Sequence, residues 1–368
     1  MNRMNNRTPR LATLALMLAA ITACTKTDIN PNDDLTNGLN PSSGAPIAFV
    51  SQDAFTKAEG DTDPEAYMAV RAGGFKVWSW FKGTTEGPMF GENGTEVKDD
   101  NYVADLPEGQ TQPDPNWTYS PLRYWLNGTY DFAAVYPKSA TGTYARPQNS
   151  STSVLTVTDF DVTNQEDLLV AFNTGIDGGK GNANGPVQLT FKHALSCVQL
   201  QLKLNRDSFY PGGAAVPIAE AFVSIAGFDN IYTKANLTAS QSSNGNISFN
   251  WNDHSNRSSF GQSFENPLHI GNDYVDVFSG NGIHVMPQSL EDGVGEFYLQ
   301  VRVSFVGSGE VFFNEFTIPL NSGIDAWLPN TKYIYKGEVT QNSAIKFTVV
   351  KVNDWNKETL DDFIVGTN

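Results

Sequence analysis

The sequence predicts an all-β protein built from β-sandwiches, and three observations support this class. Short runs rich in Val, Ile, Phe, Tyr and Thr recur from Ile47 onward, separated by Gly, Asn, Asp, Ser and Pro. In several runs apolar and polar residues alternate, which is typical of strands with one buried face. No long stretch has a helical period, and the 368 residues suffice for about two domains of about 150 residues each.

The composition excludes several functional classes. The chain has 40 Asp and Glu against 24 Lys and Arg, a formal net charge of −16, whereas nucleic-acid binding needs a basic surface. A hydrophobic fraction of 40% with 23 Phe, 13 Tyr and 7 Trp is too apolar for a disordered chain. Two Cys cannot build a disulfide scaffold, and four His leave little for a metal cluster. We therefore expect no nucleic-acid partner, cofactor or metal.

The first 23 residues have the organisation of a secretory signal. Arg3, Arg7 and Arg10 precede an apolar run over 11–21, which is too short to span a bilayer as a mature helix. The following Ile21-Thr-Ala-Cys24 is similar to the lipobox of bacterial lipoproteins, which implies cleavage before Cys24 and acylation of this residue. The alternative is an ordinary secretory signal with an incidental Cys. We predict a lipoprotein signal peptide over 1–23 and lipidation of Cys24.

Residues 24–46 are predicted to be a flexible tether between the lipid and the folded part. They are rich in Pro, Asn, Asp, Ser, Thr and Gly and contain few apolar residues. Loss of residues 1–23 removes three Arg and no acidic residue, so the mature chain of 345 residues has a formal net charge of −19. The protein is therefore predicted to be anchored to a membrane by acyl chains, each buried methylene contributing about 0.8 kcal/mol.

The folded part is predicted to contain two sandwiches, at 47–180 and 181–368. The boundary falls in the Gly-rich stretch 175–186, which offers too few side chains to hold a packed strand. Between 187 and 204 the apolar positions change from odd to even near Ser196. Because side chains cannot change faces within a regular strand, we expect a bulge, bend or sheet crossover there.

Two hairpins are predicted in the second sandwich. Apolar residues occupy every odd position from Phe297 to Phe305, and a Gly-Ser-Gly turn leads into a return strand over 311–320. Residues 332–340 and 344–352 form the second hairpin around a polar turn. A shorter segment, 164–173, fits either one helical turn or a strand.

The many aromatic residues between 75 and 136 have two interpretations. Trp78 and Trp80 share one face of a predicted strand, and a sandwich core accounts for most of these rings. The alternative is a surface lipoprotein that binds glycans through exposed aromatics, because aromatic faces stack on sugar rings. Under that alternative Trp78, Trp117 and Trp125 would carry the binding.

We find no residue pattern that predicts catalysis. The sequence lacks the GxSxG, HExxH, P-loop and CxxC motifs. His193 and Cys197 would lie about 13 Å apart on an extended strand, at about 3.3 Å per residue, which is too far for a nucleophile pair. We interpret both as buried structural residues. His254 lies in a polar loop, where loop polarity explains it as well as a metal does. The chain is predicted not to be an enzyme.

Several separated segments resemble the fimbrillin-like (Mfa-like) proteins of Bacteroidales, and their order and spacing match. The segments are Tyr130-Asp-Phe-Ala-Ala-Val-Tyr-Pro137, Asp167-Leu-Leu-Val-Ala171, Leu189-Thr-Phe-Lys-His-Ala-Leu-Ser196, Met286-Pro-Gln288, Trp327-Leu-Pro-Asn-Thr-Lys-Tyr-Ile-Tyr335, and Ile345-Lys-Phe347 with the later Trp355. The resemblance implies two transthyretin-like sandwiches in tandem behind a lipid anchor. It implies a structural role in surface fimbriae, as stalk subunit, tip or anchor, that supports adhesion at the outer membrane. The implied partners are other fimbrial subunits. A host molecule or glycan is a further candidate ligand, which the aromatic residues and not the resemblance suggest.

The same resemblance implies a route of assembly. In polymerising members a trypsin-like protease removes the N-terminal strand, and a strand from the next subunit fills the vacated groove. The first Arg after Cys24 is Arg71, and a cut there would release residues 47–50 as the candidate strand. The alternative is that Arg71 is a surface residue without this role. The donor is either the tail after Trp355, with its apolar residues, or another segment, the tail then packing on its own domain.

Overall fold

The structure is a computed structural model that describes residues 41–51, 64–145, 152–205, 218–280, 282–291, 298–307, 310–321, 324–340, 344–353 and 356–366. The earlier strands are β1 (Pro41–Pro46), β2 (Phe49–Ser51), β3 (Phe75–Gly83), β4 (Glu86–Pro88), β5 (Thr95–Asp99), β6 (Trp117–Thr118), β7 (Tyr124–Leu126), β8 (Gly128–Tyr136), β9 (Gly142–Ala145), β10 (Ser153–Asp161), β11 (Leu169–Asp177) and β12 (Val187–Leu189). The later strands are β13 (Lys192–His193), β14 (Ser196–Leu204), β15 (Ile218–Gln241), β16 (Ile247–Ile270), β17 (Val275–Asp276), β18 (Ile283–Val285), β19 (Gln288–Ser289), β20 (Tyr298–Gly307), β21 (Glu310–Pro319), β22 (Ala326–Trp327), β23 (Thr331–Val339), β24 (Ala344–Asn353) and β25 (Asn356–Gly366).

Helical structure in the described ranges is short. Helix α1 spans Pro64–Gly73, and 3₁₀ helices span Val162–Asn164 and Gly178–Asn184. Helix α1 was not predicted from the sequence. Pro64 suits the first helical turn because its φ is already fixed near the helical value. The negative charge of Glu65 stabilises the helix because it lies near the positive N-terminal end of the helix dipole.

A central antiparallel sheet organises the N-terminal half. Its strand order is β13-β11-β8-β3-β5-β6, and β4 also pairs with β3. Both faces are buried, because successive side chains of a strand point to opposite sides. Phe75 and Val77 of β3 belong to one core, whereas Trp78 on the same strand belongs to the other. The sheet is thus the middle layer between two covering layers.

One covering layer is made of short elements from the start of the chain. Strand β1 pairs with β7, and β2 pairs in parallel with β12. Ala66 and Val70 of α1 are buried in the same core as β2. The structure therefore places a strand over the last six residues of the predicted tether.

The other covering layer belongs to a sheet that continues into the C-terminal half. Strands β15 and β16, each of 24 residues, form a long hairpin. The first half of β15 pairs with β20, its second half pairs with β10, and β16 runs along its other side. Asn230, Asp253 and Asn256 have positive φ near the register shifts in the middle of this hairpin. These bulges let one ribbon follow both cores.

The C-terminal core lies between this sheet and a second one. The second sheet has the order β17-β14-β23-β24-β25, with β18 also paired to β14. Leu200 and Leu202 of β14 face Val223 of β15 and Val301 of β20 in one cluster. The two predicted hairpins are confirmed as β20–β21 and β23–β24. Segment 164–173 was predicted to be either one helical turn or a strand. Its first residue ends a 3₁₀ helix, and residues 169–173 begin β11.

The predicted change of phase near Ser196 is a sheet crossover. The chain leaves the central sheet at His193 and enters the C-terminal sheet at Ser196. The all-β class is confirmed. The domain boundary at residue 180 and the transthyretin-like topology stay predictions. Strands on both sides of residue 180, β9–β10 and β15–β16, share one sheet.

Candidate functional site: the N-terminal segment and its groove

Residues 47–51, called the N-terminal segment below, lie inside a groove of the N-terminal half. The Ile47 amide donates to the Arg123 carbonyl at 2.8 Å, and the Val187 amide donates to the Ala48 carbonyl at 2.7 Å. The Tyr119 hydroxyl donates to the Ile47 carbonyl at 2.6 Å. Burial raises the pKa of this hydroxyl to about 12. The segment is held through its backbone along both sides.

Phe49 anchors the segment in an aromatic cluster. Its ring centroid lies 5.5 Å from those of Phe90 and Tyr119, 5.9 Å from Phe132 and 6.4 Å from Phe75, all edge-to-face. Such pairs contribute about 0.5–1.5 kcal/mol each beyond the burial of area. The rings come from three separate parts of the chain, so the cluster depends on the fold. Without the segment, the groove would expose this apolar floor.

Arg71, the predicted processing residue, is buried in the last turn of α1. Its side chain is 4% exposed. Its Nε donates to Asp99 Oδ2 at 2.7 Å and its Nη2 donates to the Pro113 carbonyl at 2.7 Å. Asp99 Oδ1 in turn accepts from the amides of Asn101 and Asn116. The Arg71–Asp99 pair therefore fastens the 99–116 loop to α1. Arg71 is buried, so the alternative prediction that it is a surface residue is wrong.

Processing at Arg71 stays a prediction. In the folded chain its peptide bonds lie in a helix, so a protease that binds an extended substrate would need α1 to open first. Cys24 and Trp355 lie outside the described residues, and so does Lys57, the lysine between the N-terminal segment and α1. Strand β25, which contains the apolar residues of the tail, pairs with β24 of the same chain.

A second polar cluster joins the two halves of the molecule. Asp167 Oδ2 lies 2.5 Å from His193 Nδ1 and 3.9 Å from His284 Nε2. Burial raises the pKa of Asp167, but the two histidines and the Leu168 amide outweigh it and lower the pKa to about 2. His193 belongs to the central sheet and His284 to the C-terminal sheet. The carboxylate thus bridges two sheets electrostatically.

The same cluster explains His193 and Cys197. They lie on different strands, β13 and β14, and not on one strand as the spacing argument assumed. Both are buried, at 8% and 5% exposure, as predicted. Together with Glu166, whose pKa is raised by burial, they line a cavity of about 200 Å³.

The tryptophans do not form the glycan-binding surface considered above. Trp78 and Trp125 are 1% exposed, and Trp117 is half-buried against Phe75. Trp78 and Trp80 do lie on one side of β3, as predicted. The glycan alternative is wrong for Trp78 and Trp125, because a buried ring cannot stack on a sugar.

The remaining candidates also have structural explanations. His254 Nε2 is within hydrogen-bond distance of the Pro287 carbonyl, 2.6 Å away. Within the described part of the chain, no group of three or more His, Cys, Asp or Glu is placed to hold a metal ion. No described helix is long and apolar enough to cross a membrane.

Sequence reasoning missed two residues of the site. Phe49 lies in a four-residue apolar run, 47–50, that is too short to distinguish a core strand from the end of a tether. Asp99 lies in an acidic stretch that resembles a solvated loop, and nothing in it indicates that Arg71 will meet it 28 residues away. A contact between distant residues leaves no signal in a single sequence.

These features define an all-β protein with a central sheet, a shared second sheet and an inserted N-terminal segment. A family model described as fimbrillin-like matches residues 75–355. The chain belongs to the fimbrillin-like family, as the resemblance implied.

Three solved structures of proposed cell adhesion proteins match the chain at low sequence identity. A proposed cell adhesion protein from Parabacteroides distasonis is 14% identical, with a TM-score of 0.43, covering 89% of this chain and 99% of that chain. One from Bacteroides uniformis is 14% identical, with a TM-score of 0.42, covering 86% and 100%. One from Bacteroides thetaiotaomicron is 14% identical, with a TM-score of 0.29, covering 80% and 92%. A search of curated proteins finds no match.

Proposed function

We propose that this protein is a non-enzymatic structural component of cell-surface fimbriae, exported as a lipidated precursor and held at the outer membrane through Cys24. It serves as stalk subunit, tip or anchor, supports adhesion and has other fimbrial subunits as partners. Membership of the fimbrillin-like family supports the fimbrial role. The observation that carries the assembly mechanism is the N-terminal segment, which fills a groove that it does not itself build.

The groove has the physical properties that strand exchange requires. The segment contributes one aromatic anchor, hydrogen bonds to Arg123, Val187 and Tyr119, and the parallel pairing of β2 with β12. Its loss would leave unpaired backbone groups and an open apolar floor, both of which are costly in water. An extended strand from another subunit would repair both, because backbone pairing depends little on sequence and one apolar side chain can replace Phe49.

Release of the segment requires a cut between it and the rest of the sandwich. Lys57 and Arg71 both follow the segment, so a trypsin-like cut after either would free it. Arg71 lies in α1 and is fastened to Asp99, whereas Lys57 precedes the helix. A cut at Arg71 therefore depends on opening of α1, and a cut at Lys57 does not.

The deciding measurement is the intact mass of the mature protein from purified outer membrane. An acylated Cys24 at the N-terminus would identify an anchor or an unprocessed subunit. An N-terminus after Lys57 or Arg71 would identify a polymerising subunit. An unlipidated chain that begins near residue 24, is strictly monomeric and never occurs in filaments would contradict the proposal.

Three variants separate the two cleavage sites. Lys57→Gln and Arg71→Gln each remove one site, and heat-resistant ladders on gels report assembly. Asp99→Asn is the matched control for Arg71→Gln, because it breaks the same ion pair and leaves the arginine cleavable. Cleavage at Arg71 predicts that ladders disappear in Arg71→Gln and persist in Asp99→Asn. Cleavage at Lys57 predicts that they disappear only in Lys57→Gln.

A further inference from the structure

The outer face of the shared sheet, in the C-terminal half, has an ordered arrangement of side chains on four adjacent strands. In one row across the strands, Thr317, Gln300, Gly227 and Gly261 lie opposite one another. In the next row the residues are Glu315, Arg302, Ile225 and Ser263. In the third they are Phe313, Ser304, Phe222 and His269. A glycine-containing row, a charged row and an aromatic row therefore lie side by side.

The glycine-containing row makes the face concave. A Cβ at Gly261 would lie 2.3 Å from the Ala226 carbonyl oxygen and from Gly227 Cα, so a side chain cannot fit there. A depression of about 250 Å³ lies over this glycine pair, and a second of about 190 Å³ lies over the Arg302–Glu315 pair. Ile225 and Gln300 line both, so the two depressions form one extended groove.

The groove and the sheet face beside it combine apolar and planar polar groups. Phe313 is 66% exposed, Val311 53% and Ile225 39%, so three of the large apolar side chains exposed in the described ranges lie on this face. Arg302 donates two hydrogen bonds to Glu315. Gln262, Gln300, Ser259 and Ser263 add amides and hydroxyls. Isolated exposed apolar residues are ordinary, but a cluster beside converging polar groups indicates a binding surface.

We propose that this face binds a neutral oligosaccharide. A sugar ring has an apolar C–H face, which suits Phe313 and Ile225, and hydroxyls that both donate and accept, which suit amide, guanidinium and carboxylate groups. The groove is open and elongated, which fits several sugar units more than one enclosed ring. Arg302 is balanced by Glu315, and Asp229 adds negative charge. An acidic sugar is therefore disfavoured. The proposal does not depend on fimbrial assembly.

The test uses the mature chain as a soluble protein on an array of neutral hexose oligosaccharides and their sialylated counterparts. Wild type should be retained by one or more neutral glycans in preference to the sialylated forms. Phe313→Ser and Gln300→Ala should each raise the half-saturating concentration at least tenfold. Leu328→Ser, at an exposed apolar residue outside this face, should leave it unchanged. Circular dichroism and melting temperature confirm that each variant is folded.

Three results would overturn the proposal. The first is that wild type is retained by no neutral glycan, and the second is that Phe313→Ser and Gln300→Ala both bind as wild type does. The third is that wild type self-associates in solution and Phe313→Ser alone abolishes this, with glycan retention unchanged, which would identify the face as a protein contact. Because all arms use unassembled protein, their failure leaves the fimbrial role untouched. Conversely, absence of ladders would leave this proposal untouched.

Discussion

At the scale of single residues, buried charges connect parts of the chain that are distant in sequence. Arg71 and Asp99 fasten a loop to a helix, and Asp167 links histidines from two sheets. A buried ion pair contributes little net stability relative to an apolar pair, but removal of one partner leaves a costly unpaired charge. Each cluster therefore predicts a large effect for a one-sided substitution.

For the first cluster, we expect Arg71→Gln to lower the free energy of unfolding by about 3–5 kcal/mol. Asp99 would keep its two amide hydrogen bonds but lose the guanidinium that balances its charge. Asp99→Asn should cost a comparable amount, and the double variant should cost less than the sum of the two. Urea denaturation of the three variants measures this coupling. Additive losses would show that the pair does not act as a unit.

For the second cluster, Asp167 predicts an acid-dependent loss of stability. Its pKa is lowered to about 2 in the folded protein, against about 3.9 in an unfolded chain. The contribution is therefore complete above about pH 5 and is lost as the pH falls from about 4 towards 2. Asp167→Asn should be clearly less stable than wild type at pH 6.

The measurement is urea denaturation of both proteins at several pH values from 6 down to the limit of folding. The difference in unfolding free energy should shrink as the pH falls from about 4 towards 2, because the carboxyl group of Asp167 is protonated first in the unfolded chain and only near pH 2 in the folded chain. His269, which is exposed and outside the cluster, provides a control variant, His269→Asn. A difference that stays constant with pH would contradict the bridging role of Asp167.

At the scale of elements, the N-terminal segment has only five residues, but its apolar side chains are buried in the core of the N-terminal half. Two of its residues, Ile47 and Phe49, are 0% and 5% exposed. A three-residue parallel strand has few backbone bonds of its own, so packing of Phe49 dominates its retention. This balance is what an exchangeable strand needs, since it is stable while attached and replaceable once cut.

We expect Phe49→Ala to destabilise the uncut protein by about 3–5 kcal/mol, because it removes a ring that contacts four others. In hydrogen exchange, the Val187 amide, which donates to the segment, should exchange faster in Phe49→Ala. Amides in the β23–β24 hairpin should change little. Val311→Ala, at an exposed position, is the control and should alter neither. Equal acceleration in both regions would mean that the segment does not open on its own.

The motif Trp327–Tyr335 connects two elements, the short strand β22 and the longer strand β23. The Trp327 indole donates to the Tyr335 hydroxyl at 3.2 Å, and the Leu328 amide donates to the Tyr333 hydroxyl at 2.9 Å. Both tyrosines are buried, and burial raises the pKa of Tyr333 to about 12. The residues that carry the resemblance here hold the start of β23 in the core.

At the scale of the whole molecule, the long hairpin makes the two halves interdependent. Val223 of β15 is buried in the C-terminal core, and Leu237 of the same strand is buried in the core beneath the central sheet. A strand that contributes to both cores cannot unfold in one without losing its pairing in the other. We expect one cooperative transition in calorimetry, with equal calorimetric and van't Hoff enthalpies.

Matched variants test this coupling. Val223→Ala and Leu237→Ala each leave a cavity in a different core, and both should lower the same single melting temperature. Two resolved transitions, each sensitive to only one variant, would show that the halves unfold separately. They would also favour the domain division at residue 180 predicted from composition.

Much of the fold could be predicted from the sequence because it depends on local pattern. The alternation from Leu299 to Phe305 specifies a strand with a buried face, and the phase change near Ser196 specifies a break in the strand, although not which kind. Helix α1 was missed because its ten residues lie within an otherwise strand-rich chain and give little periodicity. The domain boundary was placed by glycine content, which cannot reveal that β10 and β15 pair across it.

By itself, the sequence determined the all-β class, the two hairpins and a break in the strand near Ser196, because periodicity along the chain reveals them directly. Its motifs also carried the resemblance to the fimbrillin-like family. That the break is a crossover between sheets was decided by the tertiary structure. Only the tertiary structure decided that Trp78 and Trp125 are buried, that Arg71 pairs with Asp99, and that Phe313 lies beside the groove over Gly227. These facts depend on which strands, distant in sequence, become neighbours in the fold. That pairing depends on how the apolar residues of the whole chain pack together, so no local pattern reveals it.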